Sequence, residues 1–238
     1  RGGQSALFGR NALGGVVNVS SVRPSFTKWT GSATVPLGNY SSWGARGAIS
    51  GPISSHAAIS LAAGRAERDG FTKDVVSGTP VDSRGSTFGK AQFLWLPTPS
   101  WETRVIVSGE RARDGDYALA DLGSLRATPY RTSRDFLGHT DRDVVTASVS
   151  ARHEGHRFSF TTTTGVANWQ TKDETDLDYS PLPLLRRRND EKATQVTEEV
   201  RLASAANAPV ALGRATLRWQ AGLFLFSQQY DQNAVNTY

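Results

Sequence analysis

From about residue 25 onward, apolar residues in this chain recur at every second position, and helical three-four spacing is hard to find. A period of two places alternate side chains on opposite faces of a strand. Residues 214–230 show it best: Ala215, Leu217, Trp219, Ala221, Leu223 and Leu225 share one face, and Thr216, Arg218, Gln220 and Gly222 share the other. Similar runs lie near 28–38, 43–52, 57–68, 86–96, 101–113, 143–153, 157–169 and 194–204, which predicts an all-β chain of about nine strands. No window approaches the roughly 18 consecutive apolar residues of a membrane helix, but that leaves a membrane barrel open, since barrel strands meet lipid only at alternate positions.

The spacing of the turns narrows the choice. Residues 51–56, 97–100 and 154–156 form short connections, whereas 69–85, 114–142 and 170–193 are long and polar. Short turns at one end and long loops at the other are the signature of an antiparallel transmembrane β-barrel, which a soluble sandwich need not share. Phe93, Trp95 and Trp101 flank a short turn, where aromatic rings meet lipid headgroups. Arg104, Arg201 and Arg218 fall in strands whose other face is apolar, which suits a water-filled interior. Nine strands do not close a bacterial barrel, so further strands are expected downstream. The chain opens at Arg1, has no Met and stops at Tyr238 inside an apolar run, and it reads as an internal piece of a longer protein.

Several chemistries are set aside. The net charge of +5 comes from basic residues interleaved with acids, as in Arg111-Ala-Arg113-Asp114-Gly-Asp116, so no basic stripe marks a nucleic-acid surface. With no Cys there are no thiolate metal sites or thiol nucleophiles. Residues 9–15 have phosphate-loop glycine spacing without the following Lys-Ser/Thr or a helix. His153-Glu-Gly-His156 lacks the spacing of a helical zinc motif and lies in an expected hairpin. No nucleophile elbow occurs, and neither an enzyme, a resident cofactor nor a metal site is expected.

Arg1-Gly-Gly-Gln-Ser-Ala-Leu-Phe-Gly-Arg-Asn-Ala-Leu-Gly-Gly-Val-Val-Asn-Val-Ser-Ser-Val-Arg-Pro24 resembles the end of the plug domain of TonB-dependent outer-membrane receptors. It departs from the family's pattern at Gly3, commonly Pro, and at Phe8, commonly Tyr. Gly9, Gly14 and Gly15 allow tight turns before the strand-like Val16-Val-Asn-Val19. Glu198-Glu-Val-Arg-Leu-Ala-Ser204 is similar to a barrel strand of the same family.

The resemblance implies a plug end over residues 1–24, followed by the first part of a barrel of about 22 strands over 25–238. It further implies a Gram-negative outer-membrane location, surrounding outer-membrane lipid, and TonB with its inner-membrane energising complex as a partner reached through an upstream segment. The expected ligand is a ferric siderophore carrying Fe(III); a receptor for carbohydrate, haem or cobalamin, and a passive porin or adhesin barrel, are the alternatives.

Plug and barrel charges commonly pair in this family, and Arg1 and Arg10 match the plug side. Strand parity puts Glu199 and Arg201 on the more polar wall, giving an expected Arg1/Arg10 to Glu199 network. The same parity turns Glu198 toward lipid, where a carboxylate is expensive. In the long loops Arg113, Tyr117, Tyr130, Arg131 and Arg134 are the candidate ligand contacts, with Tyr179 and residues 186–188 in a second loop, because Arg and Tyr suit an anionic, oxygen-rich chelate.

Overall fold

In the computed structural model, which describes residues 20–205 and 208–238, β-rich sequence becomes paired strand in the order β1 (Thr30–Thr34), β2 (Trp43–Ser54), β3 (Ala57–Arg68), β4 (Lys73–Asp74), β5 (Arg84–Thr98) and β6 (Trp101–Gly115). There follow helix α1 (Leu122–Ala127), β7 (Arg131–Thr132), β8 (His139–Glu154), β9 (Phe158–Asp176), β10 (Arg186–Ser204), β11 (Val210–Leu212), β12 (Ala215–Leu217) and β13 (Gln220–Thr237). Nine of the strands form one sheet in the order β1-β2-β3-β5-β6-β8-β9-β10-β13. Every pair in it is antiparallel, so each strand lies beside its long neighbour in sequence. Eight of the nine expected runs each correspond to one of these strands, and the ninth, 214–230, overlaps β12 and the first part of β13.

The register defines two faces that run unbroken across the sheet. Ile59, Phe93, Val105, Val149, Thr164, Glu198 and Leu225 stand opposite one another in a single cross-strand row. Leu94, Arg104, Ser150, Thr163, Glu199 and Phe224 form the adjacent row on the opposite face. The first face is mostly apolar and carries exposed Ile49, Leu61, Val107, Val145, Val166 and Leu223. In a soluble protein so much exposed apolar surface marks an interaction face; here it forms a continuous belt. Trp101 stacks on His153 on this face, with ring centroids 4.7 Å apart, beside a short turn.

Two expectations need correction. The run at 214–230 is not one strand: β11 and β12 form a small hairpin, the backbone breaks at 218–219, and the long strand starts at Gln220 and continues to Thr237. Arg218 therefore lies between strands. The polar segment 170–193 is also mostly strand, because β9 and β10 extend into it and pair from Asp176↔Arg186 onward. Where both faces of a strand meet water, hydropathy no longer alternates, although backbone pairing continues; the sequence pattern fades there for that reason. The remaining connections at this end are 35–42, 69–83, 116–138 and 177–185.

Candidate functional site

Polar side chains gather in two places. The first is the face carrying Arg104 and Glu199, against which residues 21–23 are laid. Arg104 Nη2 donates to the Ser21 carbonyl (2.9 Å) and to Gln92 Oε1 (2.6 Å). Gln92 Nε2 in turn donates to the Val22 carbonyl (3.3 Å), Lys90 donates to the Ser21 hydroxyl, and Arg23 pairs with Glu102. Lys90, Gln92, Arg104 and Glu102 share this face because they sit at alternate positions of β5 and β6. A segment otherwise without a sheet partner thus has its backbone acceptors satisfied by the wall.

Farther along the same face, Glu199 pairs with Arg201, two residues away in β10. Together with Arg152, Thr161 and Thr163 they line a cleft of about 330 Å³. The parity expectation for Glu199 and Arg201 thus puts both on the face that receives residues 21–23. Arg1, Arg10, Gly9, Gly14 and Gly15 lie outside the described residues.

The second place is the end of the sheet where the three long connections meet, and it is unusual in being buried yet polar. Asp74, Asp82, Asp116, Thr132, Arg134 and Asp176 are all buried there. Arg134, fully enclosed, donates through Nη1 to Asp116 Oδ2 (2.7 Å) and through Nη2 to the carbonyls of Tyr117 and Leu119. Its backbone N–H donates to Asp74 Oδ1 (2.9 Å), and its guanidinium lies 5.5 Å from the centre of the Tyr179 ring. One residue therefore ties together segments 69–83, 116–138 and 177–185. Asp116 adds a hydrogen bond from Thr175 Oγ1 (2.8 Å), and β4 pairs in parallel with β7. Asp82 Oδ1 accepts from the amides of Phe71 and Thr72, both at 2.9 Å.

Electrostatics at this end follow burial and bonding. Asp176, beyond the apolar belt, has its carboxyl pushed above the usual range by burial and by the nearby Asp178 and Asp135 charges, against the pull of the Tyr179 and Asp178 amides. The Ser180 hydroxyl holds Asp178 below that range. Asp121 caps α1 by accepting from the amides of Gly123 (2.9 Å) and Ser124 (3.0 Å), and its carboxyl is held low chiefly by Ser124.

The candidate ligand contacts divide accordingly. Arg113 is on the outward face, bonded to Asp143 (2.9 Å) and close to Asp141 (3.5 Å). Arg134 is spent inside the loop cluster. Tyr117, Tyr130 and Arg131 remain exposed. Tyr130, with φ at 62°, meets Phe71 edge-on at 5.9 Å, Tyr40 lies 5.8 Å from the other side of Phe71, and the Arg68 guanidinium lies 4.8 Å from its ring centre. The sequence signalled Tyr130 but not Tyr40, Arg68 or Phe71. Tyr40 comes from the β1–β2 connection, Arg68 from the end of β3 and Phe71 from segment 69–83, and they meet Tyr130 only through the fold.

An antiparallel wall with one apolar face, one polar face holding an incoming segment, and interlocked loops at one end defines a section of a transmembrane β-barrel. No family model matches the chain. Among solved structures, the ferric yersiniabactin uptake receptor FyuA from Yersinia pestis is similar over 100% of this chain and 36% of its own, with a TM-score of 0.84 and 19% identity. The ferric citrate transporter FecA in its unliganded form is similar over 88% of this chain and 30% of its own (TM-score 0.69, 7% identity). FpvA of P. aeruginosa, in a structure bound to heterologous pyoverdines, is similar over 90% and 29% (TM-score 0.70, 10% identity). The chain spans about a third of the length of these proteins. It has the fold of part of the barrel in TonB-dependent siderophore receptors. In that fold the row through Phe93 and Val149 faces lipid and the row through Arg104 and Glu199 faces the interior.

Proposed function

We propose that this chain is the plug end (1–24) and the first barrel strands (25–238) of a TonB-dependent outer-membrane receptor that takes up a scarce ligand, a ferric siderophore being the reading best supported. The observation that carries this is residues 21–23 lying on the interior face, held by Lys90, Gln92, Glu102 and Arg104. Such a contact suits a plug that must be retained until energy from the inner membrane, delivered through TonB, moves it. The network expected between Arg1, Arg10 and Glu199 belongs to this reading, and Glu199 is paired with Arg201 within the wall.

Tyr40, Arg68, Phe71, Tyr117, Tyr130 and Arg131 provide aromatic and cationic surface at the loop end, chemistry that fits an anionic chelate by stacking and charge-assisted hydrogen bonds. The test uses the full-length receptor: its outer-membrane abundance with and without iron, and uptake of ferric siderophores with and without a proton gradient. Iron-repressed abundance with gradient-dependent uptake is the expected result. Uptake that persists after the gradient is collapsed overturns the energy-coupled reading in favour of a passive pore.

A further inference from the structure

Asp135, from the connection before β8, comes together with Asp176 at the end of β9 and Asp178 just beyond it, and each offers a carboxylate oxygen within 4.8 Å of the others. Most of their remaining oxygens are already committed. Asp135 Oδ2 accepts from Arg186 Nη2 (2.6 Å). Asp176 Oδ1 accepts from the amides of Asp178 (3.0 Å) and Tyr179 (3.1 Å). Asp178 Oδ1 accepts from the Ser180 amide (3.0 Å) and hydroxyl, and Asp178 Oδ2 from the Leu185 amide (2.8 Å). Two oxygens are left over: Asp135 Oδ1 and Asp176 Oδ2 are both buried and have no hydrogen-bond partner. Asp176 is itself wholly enclosed. A buried carboxylate oxygen without a donor is costly, and two beside a third carboxylate repel one another.

We propose that these three aspartates bind a divalent cation of calcium's size. Three carboxylates against the single guanidinium of Arg186 leave two negative charges, which a divalent ion neutralises. Calcium takes oxygens at 2.3–2.6 Å in a tolerant geometry, so two ligands on opposite sides of it lie up to about 5 Å apart, which the cluster satisfies. The all-oxygen donor set matches a hard cation and not zinc or copper. Water completes the shell on the side open to solvent.

The positions of the three residues give the ion a structural task. Asp135 belongs to the connection before β8, whereas Asp176 and Asp178 bracket the start of the β9–β10 connection, and the Asp135 amide donates to the Ser180 carbonyl (3.2 Å). A bound ion thus clamps segment 177–185 onto segment 131–138, beside Tyr179 and its contact with Arg134. The inference is independent of what the receptor transports.

The test is calcium binding by the full-length receptor in detergent, stripped with chelator and titrated with calcium chloride in a calorimeter, with amide exchange of residues 177–185 read in parallel. Calcium is expected to slow exchange there. Asp176→Asn and Asp135→Asn, which keep the shape and the amide acceptors, are each expected to weaken binding at least about tenfold, while Asp121→Asn in the same loops leaves it unchanged. If Asp176→Asn does not fold, Asp135→Asn and the exchange measurement on the unaltered protein carry the test. Exchange at 177–185 that ignores calcium up to about 5 mM, above the range of weak extracellular sites, overturns the proposal. So does equal slowing by sodium chloride at matched ionic strength, or unchanged affinity in both asparagine variants.

Discussion

Arg134 and Asp116 form an ion pair with both side chains closed off from solvent, Nη1 to Oδ2 at 2.7 Å, at the centre of the loop cluster. Such a pair adds little over an apolar alternative, but removing one member strands the other. Arg134→Met leaves the Asp116 charge buried and is expected to destabilise the cluster by about 3–5 kcal/mol. Protease cleavage within 116–138 on intact cells should become fast, with the barrel still folded. Asp116→Asn in the Arg134→Met background should recover part of the loss; an additive effect of the two changes would contradict the pairing.

Glu198 stands beside Thr164 in a mostly apolar outward row, and its two oxygens accept from the Thr162 and Thr164 hydroxyls of β9. The hydroxyls offset the cost of a carboxylate beside lipid. Replacing both threonines with valine is therefore expected to lower the temperature at which the heat-modifiable barrel unfolds in an electrophoretic assay. Adding Glu198→Leu to that variant should restore it.

Gly138 passes so close to its neighbours that a β-carbon there would sit 1.9 Å from the Glu174 carbonyl oxygen and 2.6 Å from Asp116 Oδ2. Backbone cannot yield as a flexible side chain can. Gly138→Ala should cost on the order of 1–3 kcal/mol and expose the start of β8 to amide exchange. Gly89→Ala, with open space around its β-carbon position, should change nothing.

Asp121 has its carboxyl held below the usual range by Ser124 and Gly123. A lowered folded-state pKa means that its capping contribution is fully present above the unfolded value, about 3.9, and disappears as pH falls through the lower folded value. Exchange protection at Leu125, whose amide bonds to the Asp121 carbonyl, should therefore be constant from neutral pH down to about 4 and fall below it. Asp121→Ala should show the low protection at every pH.

The membrane-level architecture was legible because alternation is a local property. The nine strands, the outward Phe93, Trp95 and Trp101, and the opposite orientations of Glu198 and Glu199 follow from parity alone. The loop cluster was not legible. Arg134 reaches Asp74 across 60 residues and Asp116 reaches Thr175 across 59, and no local pattern announces such partners. Arg134 and Arg113 looked alike in sequence, as cations in polar loops; one is locked inside and the other is turned outward by strand parity. The acidic trio was hidden for the same reason, since Asp135 lies in the connection before β8 and Asp176 at the end of β9.

The strands lengthen from β2 to β10, from 12 residues in β2 and β3 to 15 in β5 and β6, 16 in β8 and 19 in β9 and β10, and β13 keeps 18. At roughly 3.3 Å per residue, that is a difference of about 20 Å between the first full strands and the last. Because short turns join β2 to β3, β5 to β6 and β8 to β9 at one end, the added length extends at the other. The loop end of the sheet is therefore uneven, and the β9–β10 hairpin reaches farther than β2 and β3 do.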